Sequence, residues 1–153
     1  MEERTLKTLE YHKIIHKLAN YAVSPMAKEI AEYLNPSSDY NEIIRMQKET
    51  SDAVSMTIRK GSIPLGGFRD TRSALRRVKI GGVLSATELI HIADLLRVCK
   101  KVKNYSKDER KQEVYETLDS LFESIITLPA VENEITRCII SEEEISDEAS
   151  TTL

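Results

Sequence analysis

All five glycines of this 153-residue chain fall between positions 61 and 82, and that clustering constrains the fold more than any other feature. The stretch reads Gly61-Ser-Ile-Pro-Leu-Gly-Gly-Phe-Arg-Asp-Thr-Arg-Ser-Ala-Leu-Arg-Arg-Val-Lys-Ile-Gly-Gly-Val-Leu-Ser85. Two Gly-rich turns, Gly61–Gly67 and Gly81–Gly82, bracket one short basic segment. Clustered glycines mark forced bends. With five glycines and four prolines in all, the chain lacks the turns of an all-β fold. The expectation is an all-α, multi-helix core domain spanning 1–153. Gly61, Gly66, Gly67, Gly81 and Gly82 would form an elbow between two groups of helices.

The apolar spacing supports helices on both sides. Thr5–Ala22 reads as a first helix, with Leu6, Leu9, Ile14, Leu18 and Ala22 on its inward face and Tyr11 and Ile15 flanking. Ser24-Pro25 caps and starts a second helix, Pro25–Leu34. Asp39-x-x-Glu42 resembles a capping box and opens a long helix, Tyr40–Lys60, with Ile43, Met46, Ala53, Val54 and Ile58 facing inward and Gly61 as its stop. Asp70 is expected to cap a short helix that ends near Lys79. Ser85-x-x-Glu88 is a second capping box, followed by a helix over 86–104 with Leu89, Ile92, Ala93, Leu96 and Cys99 inward. After a polar loop at 106–108, helices are expected over 109–128 and from Pro129 to Cys138. Ile139–Ile145 reads as an extended or turn segment, and Ser146-Asp147 as the cap of one more helix.

Charge is strongly segregated. Residues 59–111 hold 14 Lys and Arg against 5 Asp and Glu, whereas residues 112–153 hold one Arg against 11 acidic groups. In the short helix, Arg69, Arg72, Arg76 and Lys79 fall within about 80° of one another, beside an apolar seam of Thr71, Ala74, Leu75 and Val78. Such a ridge suits phosphates, with salt-sensitive and sequence-independent affinity. It also suits an acidic protein partner. Phe68 is the one aromatic beside it, so base stacking has little support. A stand-alone helical adaptor holding an acidic partner or nucleic acid through 59–111 is therefore a second reading.

No catalytic constellation emerges. Gly61–Gly67 lacks the Lys-Ser/Thr of a phosphate loop, and no strand precedes it. His12 and His16 are four apart, but Lys13 stands where a zinc-protease motif needs Glu. His91 has no assignable partner. Cys99 and Cys138 read as buried free thiols. No catalytic or metal-binding residue and no cofactor is expected in this chain. The opening Met-Glu-Glu-Arg is not a signal region, and no apolar run approaches the ~20 residues of a membrane span, so the expectation is cytoplasmic with no membrane partner.

Leu9-Glu10-Tyr11, the run Pro64-Leu65-Gly66-Gly67-Phe68-Arg69-Asp70-Thr71-Arg72-Ser73-Ala74-Leu75-Arg76-Arg77-Val78, and then Gly81-Gly82-Val83-Leu84-Ser85 together resemble the N-terminal region of bacterial MutS-like proteins of the second subfamily, the MutSB type. Asp147-Glu148-Ala149-Ser150 resembles the point where that family's long lever helix begins, near 146–153. The resemblance implies a helical core and lever region of a larger, dimeric ATPase with a clamp. ATP and Mg would bind in an ATPase domain outside this chain, and many members add a Smr endonuclease domain. The implied partners are the remaining domains of the parent chain, a second copy in a homodimer, and branched DNA or collided ribosomes. The implied role is mechanical: coupling the ATPase to the lever and clamp.

Overall fold

The computed structural model describes residues 3–107 and 115–150. Among them are eight α-helices: α1 (Glu3–Thr8), α2 (Tyr11–Tyr21), α3 (Pro25–Glu32), α4 (Tyr40–Lys60), α5 (Arg72–Lys79), α6 (Ala86–Ser106), α7 (Glu116–Glu123) and α8 (Pro129–Cys138), followed by a 3₁₀ turn at Asp147–Ala149. The only strand-like feature among the described residues is an isolated antiparallel bridge between Ile139 and Ile145. The fold is all-α.

The chain forms two compact units, Met1–Ile63 with Ser106–Ser124, and Pro64–Tyr105 with Ile125–Leu153. The backbone passes from the first to the second at Ile63-Pro64, inside the Gly-rich stretch.

In the first unit α2 packs on α3, and α4 packs on α7. Met56 of α4 is 1% exposed, and Tyr115, Leu118 and Phe122 are buried at and in α7. Between α4 and α7, the Thr117 hydroxyl donates to Asp52 Oδ2 at 2.9 Å. The buried face of α4 runs through Ile43, Met46, Ala53 and Met56, spaced three, seven and three apart. Val54 and Ile58, expected inward, are 54% and 79% exposed. The cap is as expected at one end only: Asp39 Oδ1 accepts the Glu42 amide at 3.0 Å. The Asp39 amide turns to Ser37 Oγ, whose hydroxyl donates to Glu42.

The expected first helix is two helices. Glu10 adopts a left-handed conformation, φ 53° and ψ 33°, which ends one helical run and starts the next. The expected inward face of α2 is also revised. Ala19 is buried, while Ile14 and Leu18 are 60% and 43% exposed, and Leu9, in the turn before α2, is 62% exposed. The later helix expected over 109–128 is observed only as α7, because residues 108–114 lie outside the described residues and the chain turns at Ser124.

In the second unit no residue of α6 from Ala86 to Cys99 is exposed. Ala93, Val98 and Val102 are its buried positions, and Cys99 is half-buried with its thiol free. Lys103 Nζ donates to the Ile125 carbonyl at 2.7 Å, and Arg97 reaches Glu132 of α8 at 3.6 Å. The end of α8 is tied back locally. The Ser146 amide donates to the Cys138 carbonyl at 2.9 Å, and Arg137 donates to the Glu148 carbonyl. Cys138, expected buried, is also half-buried and free.

Candidate nucleic-acid interface

Helix α5 is short because chemistry at both ends confines it. At its start Asp70 Oδ1 accepts the Arg72 amide at 2.9 Å, so Asp70 supplies the cap although the helix begins two residues later. The same carboxylate holds the Arg72 guanidinium in a fork, Nε at 3.0 Å and Nη2 at 2.7 Å. Those hydrogen bonds hold the Asp70 carboxyl well below the usual carboxylate range, at about 2. Thr71, 4% exposed, anchors the turn in between.

At the other end the Gly81 amide donates to the Val78 carbonyl and the Gly82 amide to the Arg77 carbonyl, both at 2.9 Å. This paired pattern is a Schellman stop, which needs a left-handed residue just past the helix. Gly81 supplies it with φ 86°. Gly82 is required for a different reason. A Cβ there would lie 2.5 Å from Arg77 Cγ and 2.9 Å from the Arg77 carbonyl oxygen. Arg77 then spans the turn, donating through Nε to the Val83 carbonyl at 3.3 Å and through Nη2 to Glu88. Glu88 is the far half of a complete capping box. The Ser85 amide donates to Glu88 Oε2 at 2.9 Å, and the Glu88 amide donates to Ser85 Oγ at 3.3 Å. The Arg77 guanidinium, helped by the Ser85 amide, lowers the Glu88 carboxyl below its ordinary value.

The ridge is solvent-exposed at all four positions, Arg69, Arg72, Arg76 and Lys79. Arg69 lies in the loop before the helix, and the other three lie on one side of α5, with Arg76 Nε donating to the Arg72 carbonyl at 3.3 Å. The four are not equivalent. Arg72 is engaged by Asp70, whereas Arg69, Arg76 and Lys79 make no ion pair among the described residues. The two carboxylates flanking α5, Asp70 and Glu88, are thus each matched by an arginine, which leaves the outer face positive. Of the elbow glycines, Gly61 and Gly67 have positive φ, 80° and 93°, as Gly81 does; Gly66 and Gly82 do not.

Arg77 is the residue that sequence spacing did not single out. Its partner lies eleven positions away across a turn, beyond any helical charge-pair rule. The signal available was indirect: an arginine four residues before a Gly-Gly stop, with a capping glutamate just after it. His12 and His16 are exposed on α2, and His91 is half-buried on α6. Among the described residues no three His, Cys, Asp or Glu side chains gather as a metal site, and no helix is long and apolar enough to cross a membrane.

No family model matches the chain. Individual proteins do. It is 44% identical over its full length to an Endonuclease MutS2 of Acetivibrio thermocellus. It is 41% identical over 98% of its length to one of Alkaliphilus oremlandii, and 39% identical over its full length to one of Clostridium novyi. These alignments take up 19%, 19% and 20% of the respective relatives. With its all-helical fold, the chain is a MutS-like region of the kind found in a larger protein. Specifically, it is homologous from end to end to the N-terminal part of Endonuclease MutS2 proteins, of which it spans about a fifth.

Proposed function

We propose that this chain is a non-catalytic helical core segment of a MutS-like ATPase that acts on branched DNA, on collided ribosomes, or on both. The observation that carries this reading is the full-length match at 44% identity to an Endonuclease MutS2, confined to 19% of that protein. In this reading ATP and Mg bind elsewhere in the natural protein. That protein works as a homodimer in the cytoplasm, and a nuclease domain, where present, also lies elsewhere. The helices described above couple the ATPase to the lever and clamp. Their immediate partners are the remaining domains of the same polypeptide.

Within that role α5 contacts nucleic-acid phosphates. Arg69, Arg76 and Lys79 supply most of the attraction, because Arg72 already shares its charge with Asp70. Contacts of this kind position a backbone without reading sequence. They suit a target recognised by shape. The purified 153-residue chain is expected to hydrolyse no ATP in the presence of Mg. Turnover above a protein-free control would overturn the non-catalytic assignment.

A further inference from the structure

The apolar arc of α2 is wider than the neighbour that covers it. At ~100° per residue, Tyr11, Ile15 and Ala19 span about 80°, and Ile14, Leu18 and Tyr21 span about 60° on the adjoining side. Helix α2 packs on α3, and the first set is its covered side. Ala19 is buried and Tyr11 and Ile15 are half-buried, and the Tyr11 hydroxyl donates to the Leu34 carbonyl at 3.1 Å. The second set is open, with Ile14 60%, Leu18 43% and Tyr21 85% exposed. Its spacing of four and then three is the repeat of a helix–helix seam. Lys17 borders that seam beside Tyr21 and makes no ion pair among the described residues. Lys13, one turn earlier, is held by Glu10 at 2.6 Å.

We infer that the Ile14–Leu18–Tyr21 seam is the docking site of an amphipathic α-helix with an acidic flank, supplied by the part of the natural polypeptide outside these 153 residues. Two observations select that occupant. The chain takes up 19–20% of its relatives, so most of the natural polypeptide remains to supply a helix. The uncompensated cation at Lys17, on the flank of the seam, calls for an acidic edge opposite it. The helix-in-groove mode gives the expected anchors: apolar residues at i, i+3 or i+4, and i+7. The inference uses the proposed function only in taking the natural protein to be longer than this chain, and it is independent of nucleic-acid contact by α5.

The test uses the full natural protein with a photo-crosslinking residue at position 18, and a control with the same residue at Asn20 on the polar side of α2. Position 18 is expected to give an intramolecular crosslink to a helical peptide outside 1–153, with Asn20 giving roughly tenfold less. A crosslink between two copies, a crosslink confined to 1–153, or equal low yield at both positions would overturn the proposal. Because a bulky probe can disturb the seam, Leu18→Cys, Tyr21→Cys and Asn20→Cys provide a second reading. Thiol labelling at 18 and 21 is expected to be roughly tenfold slower than at 20, since a covered site reacts only through local opening. Equal rates would contradict the docking. ATP hydrolysis and nucleic-acid binding enter neither readout, so failure here is distinct from failure of the proposed function.

Discussion

The turn between α5 and α6 and the exposed side of α2 are finished to different degrees. At the turn, donors and acceptors of a short stretch of chain satisfy one another: Gly81 and Gly82 close the helix, Arg77 bridges to Val83 and Glu88, and Ser85 completes the next cap. On α2 the apolar arc is half covered, and Ile14, Leu18 and Tyr21 face outward. Helix ends can be completed by residues a few positions away, because their orphan amides and carbonyls are local groups. A helix face needs another element, which comes from anywhere in a polypeptide. The turn is therefore self-contained, and α2 is an open surface.

Substitutions that break this contrast rank by how much backbone they disturb. Gly82→Ala forces the Arg77 backbone to move and is expected to cost about 1–3 kcal/mol, read as a lower urea midpoint for the 153-residue chain. Gly81→Ala places a side chain in left-handed backbone and should cost about 1–2 kcal/mol by the same measurement. Ser85→Ala removes one half of the capping box, for about 1 kcal/mol. An unchanged midpoint for any of the three would show that the turn does not hold the helices as described.

The acid titration is a smaller, local effect. Asp70 is lowered to about 2 from an ordinary value of 3.8. A lowered carboxyl stabilises the folded state above its unfolded value, and that contribution is lost as pH falls. Here the loss runs from 3.8 down through about 2. The Arg72 amide resonance should titrate with a midpoint near the lower figure, and a midpoint near 3.8 would contradict the Asp70–Arg72 pairing. Smallest of all, Leu18→Gln in the 153-residue chain should change stability by no more than about 0.5 kcal/mol, as at exposed sites generally. A cost above 1 kcal/mol would mean that α2 is already covered.

The parts legible in the sequence are those governed by local chemistry. Pro25, Asp39, Gly61 and Pro129 mark helix ends that stand within a residue of where spacing places them. The Ser85–Glu88 box is formed in full. Glu10 broke the first expected helix because nothing in its type demands φ 53°. The inward face of α2 was misassigned because its apolar residues form one continuous arc, and periodicity alone does not say which half a neighbour covers. On α4 the buried stripe drifts from Ile43 to Met56, so the fixed pattern that includes Val54 and Ile58 leads outward. Charge spacing groups Arg69, Arg72, Arg76 and Lys79, and all four are exposed. That Arg72 is neutralised and Arg77 spans the turn depends on side-chain geometry that spacing does not carry.

The most direct test of the proposed role is the salt dependence of binding between the full natural protein and a branched duplex, compared with the Arg69→Ala, Arg76→Ala, Lys79→Ala triple variant. The slope of log K against log salt is expected to become shallower by about 0.9 for each lost phosphate contact, roughly 3 in all. A slope unchanged by the triple substitution would contradict phosphate contact by α5.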